Sequence, residues 1–202
     1  WGLSNSGLDG GLPGADIDAQ PAMSRFQGTG GTLVAIIDTG VDYKHPDLSS
    51  RMWVNPGEIP GNGIDDDKDG FVDDIYGANF VNGTGNPMDD NGHGTHVAGI
   101  IAATANNGIG IVGVNPNSRI MALKFLDSQG FGDLNGAISA LDYAVSKGAL
   151  LSNNSWGGAG FSPTLSDAMN RARLKGHIVV AAAGNDSLNL DSNPAYPASF
   201  SQ

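Results

Sequence analysis

The chain has 202 residues, enough for one sizeable domain with a real hydrophobic core. Its net charge of −11 argues against nucleic acid, which needs clustered Lys and Arg, and no apolar run approaches the roughly 20 residues of a membrane span. The absence of cysteine excludes disulfides and thiolate metal sites.

Residues 1–31 are rich in Gly, Pro, Asp and Ser and read as an irregular N-terminal surface arm. The start, Trp1-Gly2-Leu3-Ser4, is neither basic nor followed by an apolar stretch, so a mature or trimmed end is expected rather than a signal peptide. Leu33-Val34-Ala35-Ile36-Ile37 has no polar alternation, the pattern of a strand buried on both faces, and it ends in Asp38-Thr39-Gly40. Residues 55–74 form a Gly/Asp/Pro loop, and Ile75–Val81 reads as a short strand.

Within that loop, Asp65-Asp66-Asp67-Lys68-Asp69-Gly70-Phe71-Val72-Asp73-Asp74 sets six aspartates against one lysine. Such a cluster repels itself unless a cation neutralises it. The D-x-D-x-D-G order is the opening of a calcium loop, with Asp65, Asp67 and Asp69 as oxygen ligands and Gly70 at the sharp turn. The carbonyl of Phe71 and the carboxylate of Asp73 would follow. The bidentate Glu of a helix-flanked loop is missing, since Tyr76 stands there, which leaves Asp73 or Asp74 to serve. The alternative is a solvated acidic loop.

His93 opens a helix of small residues able to pack closely, and Ile120–Phe125 is an apolar strand. Asp133–Lys147 is an amphipathic helix with Leu134, Ala137, Ile138, Leu141 and Val145 at helical spacing, stopped by Gly148. Leu150–Asn154 reads as a strand, Pro163–Lys175 as a helix closed by Gly176, and Ile178–Ala183 as a further buried strand. Strands alternating with helices imply one α/β domain, a parallel sheet with helices on both faces.

In such sheets functional groups collect at the carboxyl ends of strands. Asp38 ends the first strand, His93 opens a helix, and Asn185 follows the last strand. Singly, each suits a turn or a cap. The order Asp, His, Asn on an α/β pattern is harder to reach by accident.

Three stretches carry a family resemblance. Val34–Asp42 followed by His45-Pro46-Asp47-Leu48 resembles the aspartate motif of subtilases, and Asn91–Gly99, with His93-Gly94-Thr95-His96, resembles their histidine motif. Ser155-Trp156-Gly157-Gly158 is similar to their substrate-binding strand and Ala181–Asn185 to their oxyanion segment. The resemblance implies a secreted serine endopeptidase of the peptidase S8 family, with Asp38 as triad acid, His93 as general base and Asn185 as side-chain donor to the oxyanion. It further implies a three-layer αβα subtilisin-like fold over 1–202, C-terminally incomplete, because the Gly-Thr-Ser motif of the nucleophile occurs nowhere in the chain. Ser155 lacks a Gly-x-Ser-x-Gly frame and falls in the substrate-binding strand. A protein or peptide in extended conformation is the expected partner, held by Ser155–Gly158 and Ala182, Ala183 and Gly184 on a monomer. A second calcium site is implied at the Asp47 and Asn107 side chains with the Ile109 and Ile111 carbonyls. The alternative is an inactive module that binds calcium and peptides. His93 and His96 do not make a zinc-protease motif, since their spacing is three and no glutamate follows His93.

Overall fold

The computed structural model describes residues 2–8, 10–25, 30–158 and 160–200. Five strands, β1 (Leu33–Asp38), β2 (Gly77–Asn79), β3 (Arg119–Lys124), β4 (Leu151–Asn154) and β5 (Ile178–Ala181), lie parallel in the order β2-β3-β1-β4-β5. β1 sits in the middle. Successive side chains of a strand point to opposite faces, and here both faces are covered, so Ile36 and Ile37 are both fully buried.

On one face Val34 and Ile36 of β1 and Ile120 and Ala122 of β3 meet Ala98 and Ala102 of helix α2 (His93–Ala102). On the other, Ala35, Ile37, Met121 and Leu123 meet α3 (Leu134–Ser146) and α4 (Pro163–Leu174). This is a three-layer αβα architecture. Each fully buried aliphatic side chain contributes about 1.5–3 kcal/mol, so the β1 run anchors both layers.

The helix ends follow local chemistry. The Asp133 carboxylate accepts from Gly136 N at 2.7 Å, and Ser162 Oγ accepts from Leu165 N at 3.2 Å ahead of Pro163. Gly148 and Gly176, both at positive φ, follow α3 and α4.

Three expectations are revised. The N-terminal arm contains a helix, α1 (Ala19–Arg25), whose proline sits in the first turn, where a missing N–H costs nothing. The ends of that arm at 1, 9 and 26–29 and the chain end at 201–202 lie outside the described residues. α3 buries a stripe of small residues, Ala137, Ala140 and Ala144 with Leu141 and Tyr143, which turns Leu134 outward at 45% exposure. The last strand stops at Ala181 and is not buried. Among the described residues β5 is a sheet edge, with Ile178 55% and Val180 49% exposed.

Candidate active site

β1 delivers Asp38 to the carboxyl end of the sheet, where the residue is fully buried. Its Oδ1 accepts from Thr39 N at 2.7 Å and stands 2.7 Å from Nδ1 of His93, the first residue of α2. A carboxylate can only accept, so this contact fixes the proton on Nδ1 and leaves the Nε2 lone pair free. The imidazole is half-exposed, and among the described residues no hydroxyl bonds to its Nε2. The geometry is that of an oriented general base. Asp38 Oδ2 is buried without a hydrogen-bond partner.

The close approach of α2 to β1 requires a glycine. A Cβ on Gly94 would lie 2.1 Å from the Gly40 carbonyl oxygen.

Sequence reading missed the group that holds this corner together. Asp89 Oδ1 accepts from Thr39 Oγ1 at 2.9 Å, Asn91 N at 3.0 Å and Gly92 N at 2.9 Å. Its Oδ2 accepts from Thr95 N at 3.0 Å and Thr95 Oγ1 at 2.6 Å. Thr39 Oγ1 in turn accepts from Gly94 N at 3.0 Å. Asp89 thus caps α2 from outside the helix and ties it to the residue after Asp38. Burial pushes its carboxyl up, but the Gly92, Asn91 and Thr95 donors outweigh that and hold it below the usual range. A carboxylate at a helix N-terminus also complements the dipole.

His93 faces a groove of about 530 Å³ lined by Phe125, Leu126, the 129–134 loop and Ser155–Gly158. A second depression, about 690 Å³, lies beyond Ser155–Gly158 and is lined by Ala182, Gly184 and the exposed Asn185. Asn185 lines this depression and not the groove that His93 faces, and Ala183 lines neither. Ser155 Oγ accepts from Asn153 Nδ2 at 2.9 Å and makes no bond to His93. Trp156 packs edge-on against Phe125 at 5.0 Å, with its Nε1 buried and unpartnered. The backbone of Gly158 is paired within the chain. Gly158 N donates to Tyr196 O at 2.9 Å, and Tyr196 N donates to Gly158 O at 2.8 Å. Tyr196 lies 38 residues away, so no local pattern announces the pairing.

The acidic loop divides into two groups of carboxylates. In one, Glu58, Asp65 and Asp67 bring oxygens within 4.8 Å of each other; in the other, Asp67, Asp69 and Asp74 do. Oxygens sharing one calcium at about 2.3–2.6 Å lie no farther apart than about 5 Å. Lys147 Nζ pairs with both Asp67 and Asp69 and already supplies a positive charge to the second group. Asp67 Oδ1 is buried without a hydrogen-bond partner, which fits the loop to a cation. Asp65 accepts from Asp69 N and Gly70 N, as a tight turn through Gly70 requires. Asp73 joins neither group, and its oxygens accept from Gly61 N and Gly63 N at 2.7 and 3.0 Å. Phe71 packs its ring against Phe80 and Tyr143. Asp74 is buried, bonded by Asn55 Nδ2 and the Tyr143 hydroxyl, and burial pushes its carboxyl up to about 6. Glu58 and Lys147 escaped sequence reading because one precedes the motif and the other lies some 80 residues past it.

At the other expected metal position, Asp47 is buried with both oxygens occupied. Asn107 Nδ2 donates at 2.6 Å and Ile111 N at 3.0 Å, and these donors hold the carboxyl below the usual range, the Ile111 amide foremost. Asn107 Oδ1 accepts from Ile109 N. The four residues are together, but the groups turned toward Asp47 are donors.

An oriented Asp–His pair thus stands at the carboxyl end of a parallel sheet, beside the groove. The subtilase family matches residues 29–202, and the chain belongs to that family. It is 42% identical over 195 residues to a subtilisin-like protease 1 of Plasmodium falciparum (isolate 3D7), across 96% of this chain and 27% of that protein. It is 42% identical over 169 residues to a thermophilic serine proteinase of Bacillus sp. (strain AK1), across 84% of this chain and 37% of that protein. The crystal structure of a cold adapted subtilisin-like serine proteinase matches with a TM-score of 0.64 and 30% identity, covering 86% of this chain and 52% of that one. The chain thus spans about a quarter of the Plasmodium relative. No helix among the described residues is long and apolar enough to cross a membrane.

Proposed function

We propose that this chain carries the acid–base half of a secreted, monomeric, calcium-stabilised serine endopeptidase that cuts extended peptides. The observation behind this reading is the 2.7 Å Asp38–His93 contact beside the groove, with Nε2 left open. His93 takes the proton of a serine hydroxyl through Nε2 and returns it to the leaving amine. Asp38 holds the tautomer and stabilises the imidazolium. Asn185 donates its side-chain amide to the oxyanion, and the peptide runs along Ser155–Gly157 with one side chain in the depression beside Ala182–Asn185. The chain contains no Gly-Thr-Ser, so the nucleophile is assigned to sequence outside these 202 residues.

Calcium is assigned to Glu58, Asp65 and Asp67, where it would neutralise the loop and satisfy Asp67 Oδ1. Asp69 and Asp74 flank this site, with Lys147 paired to Asp67 and Asp69. Asp47 becomes a second site only with Asn107 turned over to present its Oδ1.

The second reading is a calcium- and peptide-binding module without turnover. Incubating the gene product that contains these residues with an unstructured protein in calcium, and following the fragments by mass spectrometry, separates the two. Endoproteolytic fragments support the protease. Saturable peptide binding with no fragment would overturn it in favour of the module.

A further inference from the structure

Lys124, the last residue of β3, is a lysine buried in the middle of the molecule, with a side chain 4% exposed. It stands directly opposite Asp38 in the β1–β3 register. Its Nζ makes three short contacts: Thr39 O at 2.8 Å, Leu126 O at 2.7 Å and Asp90 Oδ1 at 2.7 Å. An ammonium has three protons, and all three are used.

Those acceptors belong to three different parts of the site. Thr39 follows Asp38. Asp90 lies in the loop that precedes His93, and Leu126 lines the groove that His93 faces. Neutralising Asp90 does not explain the burial. The Asp90 side chain is 53% exposed, so water already solvates it, and a lysine at the surface would serve equally well. Taking an ammonium out of water is costly, and only full hydrogen bonding offsets it. The two carbonyls are what the burial adds.

We propose that Lys124 is a positioning residue for the Asp38–His93 pair: a three-armed strut that fixes the acid-bearing strand, the loop before the base and the groove wall relative to one another. The inference rests on Asp38 and His93 acting together, as argued above. It does not need turnover. Lys124→Met strips the Thr39 and Leu126 carbonyls of their donor and should lower stability. Positioning is read separately, in the His93 signal of a variant that still folds.

The test is the low-field proton resonance of His93 Nδ1–H in the full chain, assigned by its disappearance in His93→Gln. The wild type gives this signal, Lys124→Met loses it whatever happens to the melting temperature, and Lys124→Arg, which can reach carbonyl and carboxylate acceptors, retains it. A Lys124→Met protein that folds and keeps the wild-type signal would overturn the strut. If Lys124→Met does not fold, the wild type decides through its 1H–15N spectrum. A strut requires a slowly exchanging Lys124 ammonium resolved at neutral pH, and an ammonium in fast exchange refutes it. Absence of the His93 signal from the wild type itself would instead refute the Asp38–His93 reading.

Discussion

Two glycines of α2 separate close approach from helix propensity. A Cβ on Gly94 would stand 2.1 Å from Gly40 O and 3.2 Å from the Cβ of Asp38. Carbon and oxygen rest no closer than about 3.3 Å even in favourable C–H···O contacts. The shortfall exceeds about 1 Å, and the obstacle is backbone, which cannot rotate aside. Gly94→Ala should therefore cost the about 1–3 kcal/mol of an overpacked core. On Gly99, one turn on, a Cβ would meet only Ile111 Cδ1 at 3.9 Å, an ordinary contact. Gly99→Ala should gain about 0.5–1 kcal/mol, the usual benefit of replacing a glycine inside a helix. Urea unfolding with unchanged m-values should thus separate the two variants by about 1.5–4 kcal/mol. The same displacement moves His93 from Asp38, and a misplacement of about 1 Å costs on the order of 100-fold in rate. A Gly94→Ala protein as stable as Gly99→Ala would refute the close-approach argument.

Asp89→Ala strips five donors of their acceptor and uncaps α2; a loss of about 2–3 kcal/mol is expected in chemical denaturation, and a change under about 0.5 kcal/mol would contradict the network. His177 is buried, its Nδ1 2.8 Å from Ala149 O and its Nε2 3.0 Å from Ser152 Oγ, and burial lowers its pKa below 6.5. With the folded value depressed, its contribution is fully present above pH 6.5 and is lost as pH falls toward the folded pKa, because only the unfolded chain then takes up the proton. Melting temperatures should fall over that window in the wild type and fall less in His177→Gln; identical pH profiles would count against the assignment. Calcium at about 100 times its dissociation constant should add about 2.7 kcal/mol, read as a higher melting temperature reversed by chelator. Asp67→Asn should abolish that increment, and an undiminished increment would move the ion elsewhere.

The parts of the fold visible in sequence are those with short-range causes. Leu33–Ile37 declared a two-faced strand through an unbroken apolar run. Asp133 and Ser162 declared helix starts, and Gly148 and Gly176 declared the stops. The Asp38 and His93 motifs were readable for the same reason, since each lies in a few consecutive residues. The connections between motifs were not. Lys124 sits in an apolar strand and looks like a strand terminus until its register with Asp38 is known. Asp89 is one more acidic loop residue until the chain folds it over the start of α2. Lys147 reaches the acidic loop from the end of α3, and Tyr196 reaches Gly158 from beyond β5. β5 misled because its Ile-Val-Val run has the composition of a buried strand, whereas burial depends on what packs beside it. α1 was hidden by the glycine and proline content around it.

The most direct measurement of the central claim is peptide hydrolysis by the gene product containing this chain, with and without His93→Ala. If His93 is the general base oriented by Asp38, kcat/KM falls by on the order of 10⁴–10⁶, the scale of losing a triad member. An unchanged rate in His93→Ala would contradict the account.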